Sequence, residues 1–115
     1  MLNKDKGINI AHKLIECARN HTTIFYSELM CDESIRTSRR YIGKYLEYVG
    51  KACKNNNFPI LPALAINKTQ REVSDSYYTA FLNNNAGEER AECYQFNDFS
   101  ALITYLDANW ESLAD

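Results

Sequence analysis

The chain holds two histidines, two prolines and four scattered glycines among 115 residues, and each scarcity removes a class of chemistry. Without a glycine-rich run, no loop can cradle a phosphate on its backbone N–H groups. His12 and His21 both have ordinary structural roles. His12 lies near an apolar helical stripe, and His21 falls at a helix end, where an imidazolium suits the dipole. Cys17, Cys31, Cys53 and Cys93 include no pair at the two-residue spacing of a zinc knuckle or redox motif. The expectation is four small, mostly buried thiols, with no metal and no cofactor. The longest unbroken apolar run, Leu61 to Ile66, contains Pro62 and is far too short to span a bilayer. Asn9, His12 and Lys13 interrupt the stretch where a secretory signal would carry its apolar segment. These absences predict a cytoplasmic chain in a reducing compartment, with neither membrane nor small-molecule substrate as partner.

What is present reads as one domain over residues 1–115, since 45% hydrophobic and 24% charged residues are ordinary for a globular protein of this length. Ile8, Ala11, Leu14, Ile15 and Ala18 recur on one helical face, predicting a helix over 8–20 that stops at Asn20-His21. Thr22 to Tyr26 is β-branched and aromatic and reads as extended, followed by a brief helix capped by Ser27 and a turn over 32–37. The strongest element spans about 34–55, where Ile42, Leu46, Val49 and Cys53 form a stripe flanked by Tyr41, Tyr45, Tyr48 and Ala52. Asn55-Asn56-Asn57 ends it, because asparagine tolerates the left-handed conformation. Phe58 to Asn67 carries both prolines and predicts an extended arm becoming a strand at 63–66, with a further strand at 77–82. A short helix is expected at 88–94. A final helix over 98–113 is expected from the stripe Phe99, Leu102, Ile103, Leu106, Trp110 and Leu113, capped by Asn97 or Asp98. The class that follows is α+β, a helix-rich single domain with a small antiparallel sheet.

Part of this pattern is similar to a known family. Thr22-Thr23-Ile24-Phe25-Tyr26-Ser27-Glu28-Leu29, then Arg40-Tyr41-Ile42-Gly43 in a helix, then Pro59 to Asn67, resembles the winged-helix DNA-binding domain of alkylguanine-DNA alkyltransferases. The resemblance covers residues 22–67 and implies a winged-helix-like core. It also places Arg40 where that family has its base-displacing arginine. The family's chemistry needs a Pro-Cys-His-Arg box, whose cysteine is activated as a thiolate by its histidine. Here the matching stretch is Leu61-Pro62-Ala63-Leu64-Ala65, so alkyl transfer is excluded. Glu88 and Glu92 stand four apart, yet nothing around them predicts the shaped, partly dry cleft that paired carboxylates require. No catalytic residue is assigned, and the expectation is a protein that is not an enzyme.

Charge is distributed unevenly. Residues 1–71 carry twelve Lys/Arg against six Asp/Glu, while residues 72–115 carry Arg90 against nine acids. The balances of +6 and −8 give the net −2 of the whole chain. Such asymmetry points to a charged partner. The basic side runs along the central helix as Arg36, Arg40, Lys44, Lys51 and Lys54, with Arg39 adjacent and Glu47 as a break. The acidic side pairs Glu88 with Glu92, and Asp107 with Glu111 and Asp115, at helical spacings where like charges repel.

Two readings follow. The first is a protein that neutralises a basic protein partner through Glu88, Glu89, Glu92, Asp98, Asp107 and Glu111, with Tyr77 and Tyr78 as aromatic anchors. In general character the chain resembles the immunity proteins of bacterial contact-dependent growth-inhibition systems. That likeness implies a nuclease toxin as the partner, its active site covered. The second is a winged-helix nucleic-acid binder using Arg36, Arg39, Arg40 and Lys44. The acidic net charge favours the first at this stage, since it opposes non-specific binding to polyanions.

Overall fold

In the computed structural model, which describes residues 2–66 and 86–114, the first helix, α1 (Lys4–Arg19), starts four residues earlier than its apolar stripe suggests. The reason is local. The Asn3 side chain accepts from the Lys6 N–H at 3.0 Å, satisfying a backbone donor that the first helical turn would otherwise leave unbonded. The α1 helix ends at Asn20 with a paired closure: Thr22 N–H donates to the Cys17 carbonyl at 3.0 Å and His21 N–H to the Ala18 carbonyl. This arrangement needs a left-handed residue, and His21 supplies it at φ 54°.

Strand β1 (Ile24–Phe25) leads directly into α2 (Tyr26–Cys31). Here Phe25, not Ser27, is the capping position, because the Glu28 carboxylate accepts from the Phe25 N–H at 3.1 Å. The longest helix, α3 (Arg39–Asn55), begins at Ser38 rather than Ser34. Its end repeats the closure of α1, with Phe58 N–H on the Cys53 carbonyl at 2.9 Å and Asn57 left-handed at φ 59°.

After α3 the expected extended arm is instead a turn of 3-10 helix, Leu61–Leu64, followed by β2 (Ala65–Ile66). Pro62 sits in the first turn of that helix, where its missing N–H costs no intrahelical bond. The sheet is also not the small antiparallel one that was expected. β1 and β2 run parallel, Ile24 beside Ala65 and Phe25 beside Ile66. Helices α2 and α3 and the 3-10 turn lie between them in the chain and carry it back to the starting edge, as parallel pairing requires. With a parallel pair of two-residue strands and helix over 72% of the described residues, the α+β, winged-helix-like core is corrected to a helical fold with a minimal parallel pair. The strand expected at 77–82 lies outside the described residues.

Helix α4 (Ala86–Gln95) covers the helix expected at 88–94. The last helix divides into α5 (Ser100–Asn109) and a 3-10 segment, Trp110–Ala114. Asp98 starts it by accepting from the Ser100 N–H at 2.8 Å. The Leu61–Leu64 turn occupies the middle of the molecule, touched by α1, α3 and α4, while α5 closes over α1 and α3. The residues expected in the stripes of α1, α3 and α5 supply the interior, with Leu14, Leu46, Leu61, Leu64, Leu102 and Leu106 fully enclosed. No helix among the described residues is long and apolar enough to cross a membrane.

Trp110 seals one side of this interior. Its indole N–H donates to the Leu2 carbonyl at 3.0 Å, and its ring stacks near Tyr48 and Tyr45 at 4.8 and 6.2 Å. The ring lies so close over α1 that a Cβ on Gly7 would stand 2.1 Å from it. Gly7 therefore serves a close approach rather than a turn. Gly7→Ala is expected to displace the indole and cost about 1–3 kcal/mol of stability. A urea melt followed by tryptophan fluorescence checks this, and an unchanged midpoint would show that the ring yields freely.

Candidate partner-binding surfaces

The charged residues divide into those tied down by the fold and those left facing solvent. Lys4 pairs with Asp107 at 3.1 Å, Lys13 with Asp32 at 3.2 Å, and Lys51 lies 3.9 Å from Glu47. Lys51 also donates to the Leu113 carbonyl at 3.0 Å, so the basic stripe along α3 is interrupted after Lys44. Arg36, Arg39, Arg40 and Lys44 are all exposed, and no carboxylate among the described residues lies within ion-pairing distance of them. Arg36 stands before α3, not on it, in a left-handed conformation at φ 40°.

The loop that carries Arg36 is held from below by one face of α1. Lys6 donates to the Arg36 carbonyl at 2.9 Å, Asn9 donates to the Ser34 carbonyl at 2.9 Å, and Lys13 pairs with Asp32. Positions 6, 9 and 13 share a helical face, so three polar side chains form a rail under the loop. Within the loop, the Asp32 carboxylate accepts from both the N–H and the hydroxyl of Ser34. Those bonds, with the Lys13 ammonium, hold its carboxyl below the usual range, and Asp32 in turn raises Lys13. Arg36 N–H closes the turn on the Asp32 carbonyl at 2.8 Å. Two residues on, α3 opens with Arg39 and Arg40 in its first turn, no acid beside them, and no side-chain bond from Ser38. The Arg40 guanidinium lies 5.5 Å from the centre of the Tyr41 ring, and Tyr41 is 42% exposed. Tyr41 flanks the α3 stripe in the sequence, yet its place in the first turn takes it out of the interior.

The acidic residues assigned to a partner-binding surface differ in their surroundings. Glu89 is completely buried, which corrects its assignment to a partner-binding surface. Its carboxylate accepts from the Ile60 N–H at 3.2 Å, while the neighbouring Arg90 Nε donates to the Ala63 carbonyl at 2.7 Å. Glu88 and Glu92 are exposed on α4, and Glu92 lines an open groove with Lys54, Asn57, Phe58 and Phe96. Asp98 is exposed and bonded to Ser100 just before α5, whose capping position is Phe99, and the Ser100 bonds hold its carboxyl below the ordinary range. Asp107 is neutralised by Lys4, and Glu111 is exposed on the 3-10 segment. Because α5 ends at Asn109, Asp107 and Glu111 are not successive turns of one α-helix. Tyr77, Tyr78 and Asp115 lie outside the described residues.

The thiols are free. Cys31 is exposed, while burial pushes Cys17 up to about 11 and Cys53 up to about 12, and raises Cys93 as well. Among the described residues no group of three or more His, Cys, Asp or Glu is placed to hold a metal ion. No known family, curated protein or solved structure matches the chain.

Two outcomes are expected from this geometry. Glu89→Ala strips a buried backbone N–H of its acceptor and should cost about 1–3 kcal/mol, whereas exposed Glu111→Ala should stay within about 0.5 kcal/mol in the same denaturation assay. The depressed Asp32 carboxyl contributes stability above its unfolded value of about 3.9, and that contribution is lost as pH falls through its lower native value. Asp32→Asn should therefore flatten the acid limb of the stability profile, and an unaltered limb would assign that limb to other carboxylates.

Proposed function

We propose that this chain is a binding protein whose basic corner, at the loop before α3 and the first turns of that helix, takes the phosphate backbone of a nucleic acid. The observation that carries the reading is the state of its cations. Lys4, Lys13 and Lys51 each have a carboxylate beside them. Lys6, Arg19 and Lys54 have none among the described residues and neither do Arg36, Arg39, Arg40 and Lys44, but only these last four follow one another closely, on one loop and the helix it enters. Arg39 and Arg40 also stand at the positive end of the α3 dipole, where local electrostatics oppose them by a few tenths of a kcal/mol to about 1 kcal/mol each. An anionic partner offsets that cost.

The rail from α1 supports the same reading, because it fixes the loop carrying Arg36 before any partner arrives. The net charge of −2 is compatible with it. Within the loop Asp32 is engaged by Lys13 and Ser34, so exposed Glu33 is the acid there that opposes the four cations.

A basic protein such as a nuclease toxin, covered by an acidic face, has weaker support. Of the acids assigned to that face, Glu89 is enclosed, Asp107 is paired and Asp98 is bonded to the Ser100 N–H. Exposed Glu88 and Glu92 lie on α4 and Glu111 on the last 3-10 segment.

The test is titration of a labelled oligonucleotide, read by fluorescence anisotropy across a salt series. Binding at low salt is expected to weaken linearly in log–log form, and each cation removed in Arg39→Ala, Arg40→Ala and Lys44→Ala should lower the slope by about 0.7–0.9. Absence of binding at low salt by the unmodified protein would sink the reading and return the acidic residues to first place.

A further inference from the structure

The aromatic file of α3 runs from the interior into the open. Tyr48 and Tyr45 face Trp110, and the Tyr45 hydroxyl accepts from the Asn3 N–H at 3.0 Å. One turn earlier stands Tyr41, the one large hydrophobic side chain in the open among the described residues, at 42% exposure. It lies among the cations, with Arg39 and Arg40 before it and Lys44 a turn later. The Arg40 guanidinium lies over one face of the ring, 5.5 Å from its centre, so the other face is the one a ligand would meet.

Resting on the reading of this corner as a phosphate-binding surface, we propose that its ligand is single-stranded nucleic acid, with one unstacked base lying on the Tyr41 ring. Arg39, Arg40 and Lys44 then take the phosphates on either side of that nucleotide. A solvated aromatic face among cations suits a strand whose bases are uncovered, and every base offers such a face. In a duplex the base faces are already stacked, so Tyr41 would meet only sugar and phosphate unless a base were turned out. Arg40 and Lys44 are separated by about 6 Å along the helix at about 1.5 Å per residue, which lets them reach successive phosphates of a strand; the preference for an unpaired strand rests on Tyr41 alone. Further along α3, Lys51 is engaged by Glu47 and the Leu113 carbonyl, so the cations free of acid partners near Tyr41 are confined to the start of the helix.

The experiment compares a labelled mixed-sequence DNA strand with the duplex it forms with its complement, in anisotropy titrations at low salt. The strand should bind more tightly than the duplex. Tyr41→Leu should weaken strand binding about tenfold, leave duplex binding unchanged and leave the salt slope unchanged, because no charge is removed. Tyr41→Phe should keep the affinity, which separates loss of the ring from loss of fold. Equal affinity for strand and duplex, with Tyr41→Leu silent and Arg39→Ala/Arg40→Ala weakening both, would overturn this inference while the phosphate-binding reading stands. No binding of either by the unmodified protein would end both.

Discussion

The fold depends on how the backbone of residues 60–66 is kept satisfied while wholly enclosed. Those seven residues are all buried, and only four of them form a turn of 3-10 helix. A segment this irregular cannot bond itself completely, and an unmet amide in the interior costs as much as several ordinary contacts return. The structure resolves this from α4. Glu89 reaches in to the Ile60 N–H, and Arg90 reaches in to the Ala63 carbonyl. The helix that looks most acidic in the sequence is thus anchored by an acid that never meets solvent. Burying a carboxylate is expensive unless hydrogen bonds receive it, and the position of α4 follows from that requirement. Once α4 and the central turn are joined, α1, α3 and α5 have a common surface on which to lay their apolar stripes.

Much of the helical content was legible because periodicity reports burial. The stripes of α1, α3 and α5 name most of the enclosed side chains, the stop at Asn20-His21 was legible, and the end of α3 was readable from asparagines that accept a left-handed backbone. Strand direction was not legible, because two residues on each side carry no alternation and pairing direction depends on where helices return the chain. Pro62 misled for a related reason. A proline excludes a central strand equally well whether it lies in an extended arm or in the first turn of a helix. Glu89 misled because spacing assigns charge to solvent by default, and only the buried N–H of Ile60 shows why it turns inward.

The candidate site was half visible. Arg36, Arg39, Arg40 and Lys44 were readable as a basic group, but on one long helix beginning at residue 34. The break at Asp32–Thr37 puts Arg36 on a loop. Lys6, Asn9 and Lys13, which hold that loop, looked like routine polar residues of an amphipathic helix. Their partners are 25 to 30 positions away for Asn9 and Lys6, a distance at which local pattern is silent. Tyr41 looked like core for the opposite reason: it sits beside a true stripe, but in the first turn of α3, before that stripe is covered.

The bond from the Trp110 indole to the Leu2 carbonyl spans 108 positions, and α5 and Trp110 together cover α1. Ribosomes deliver a chain from its amino end, so α1 is made well before the segment that covers it. Until residues 102–113 leave the exit tunnel, the apolar side of α1 has, among the described residues, α3, α4 and the central turn against it but not its cover from α5 and Trp110. Closure over α1 therefore waits on residues about a hundred positions downstream, and a ribosome stalled before Trp110 would hold out a nascent chain with an uncovered apolar flank.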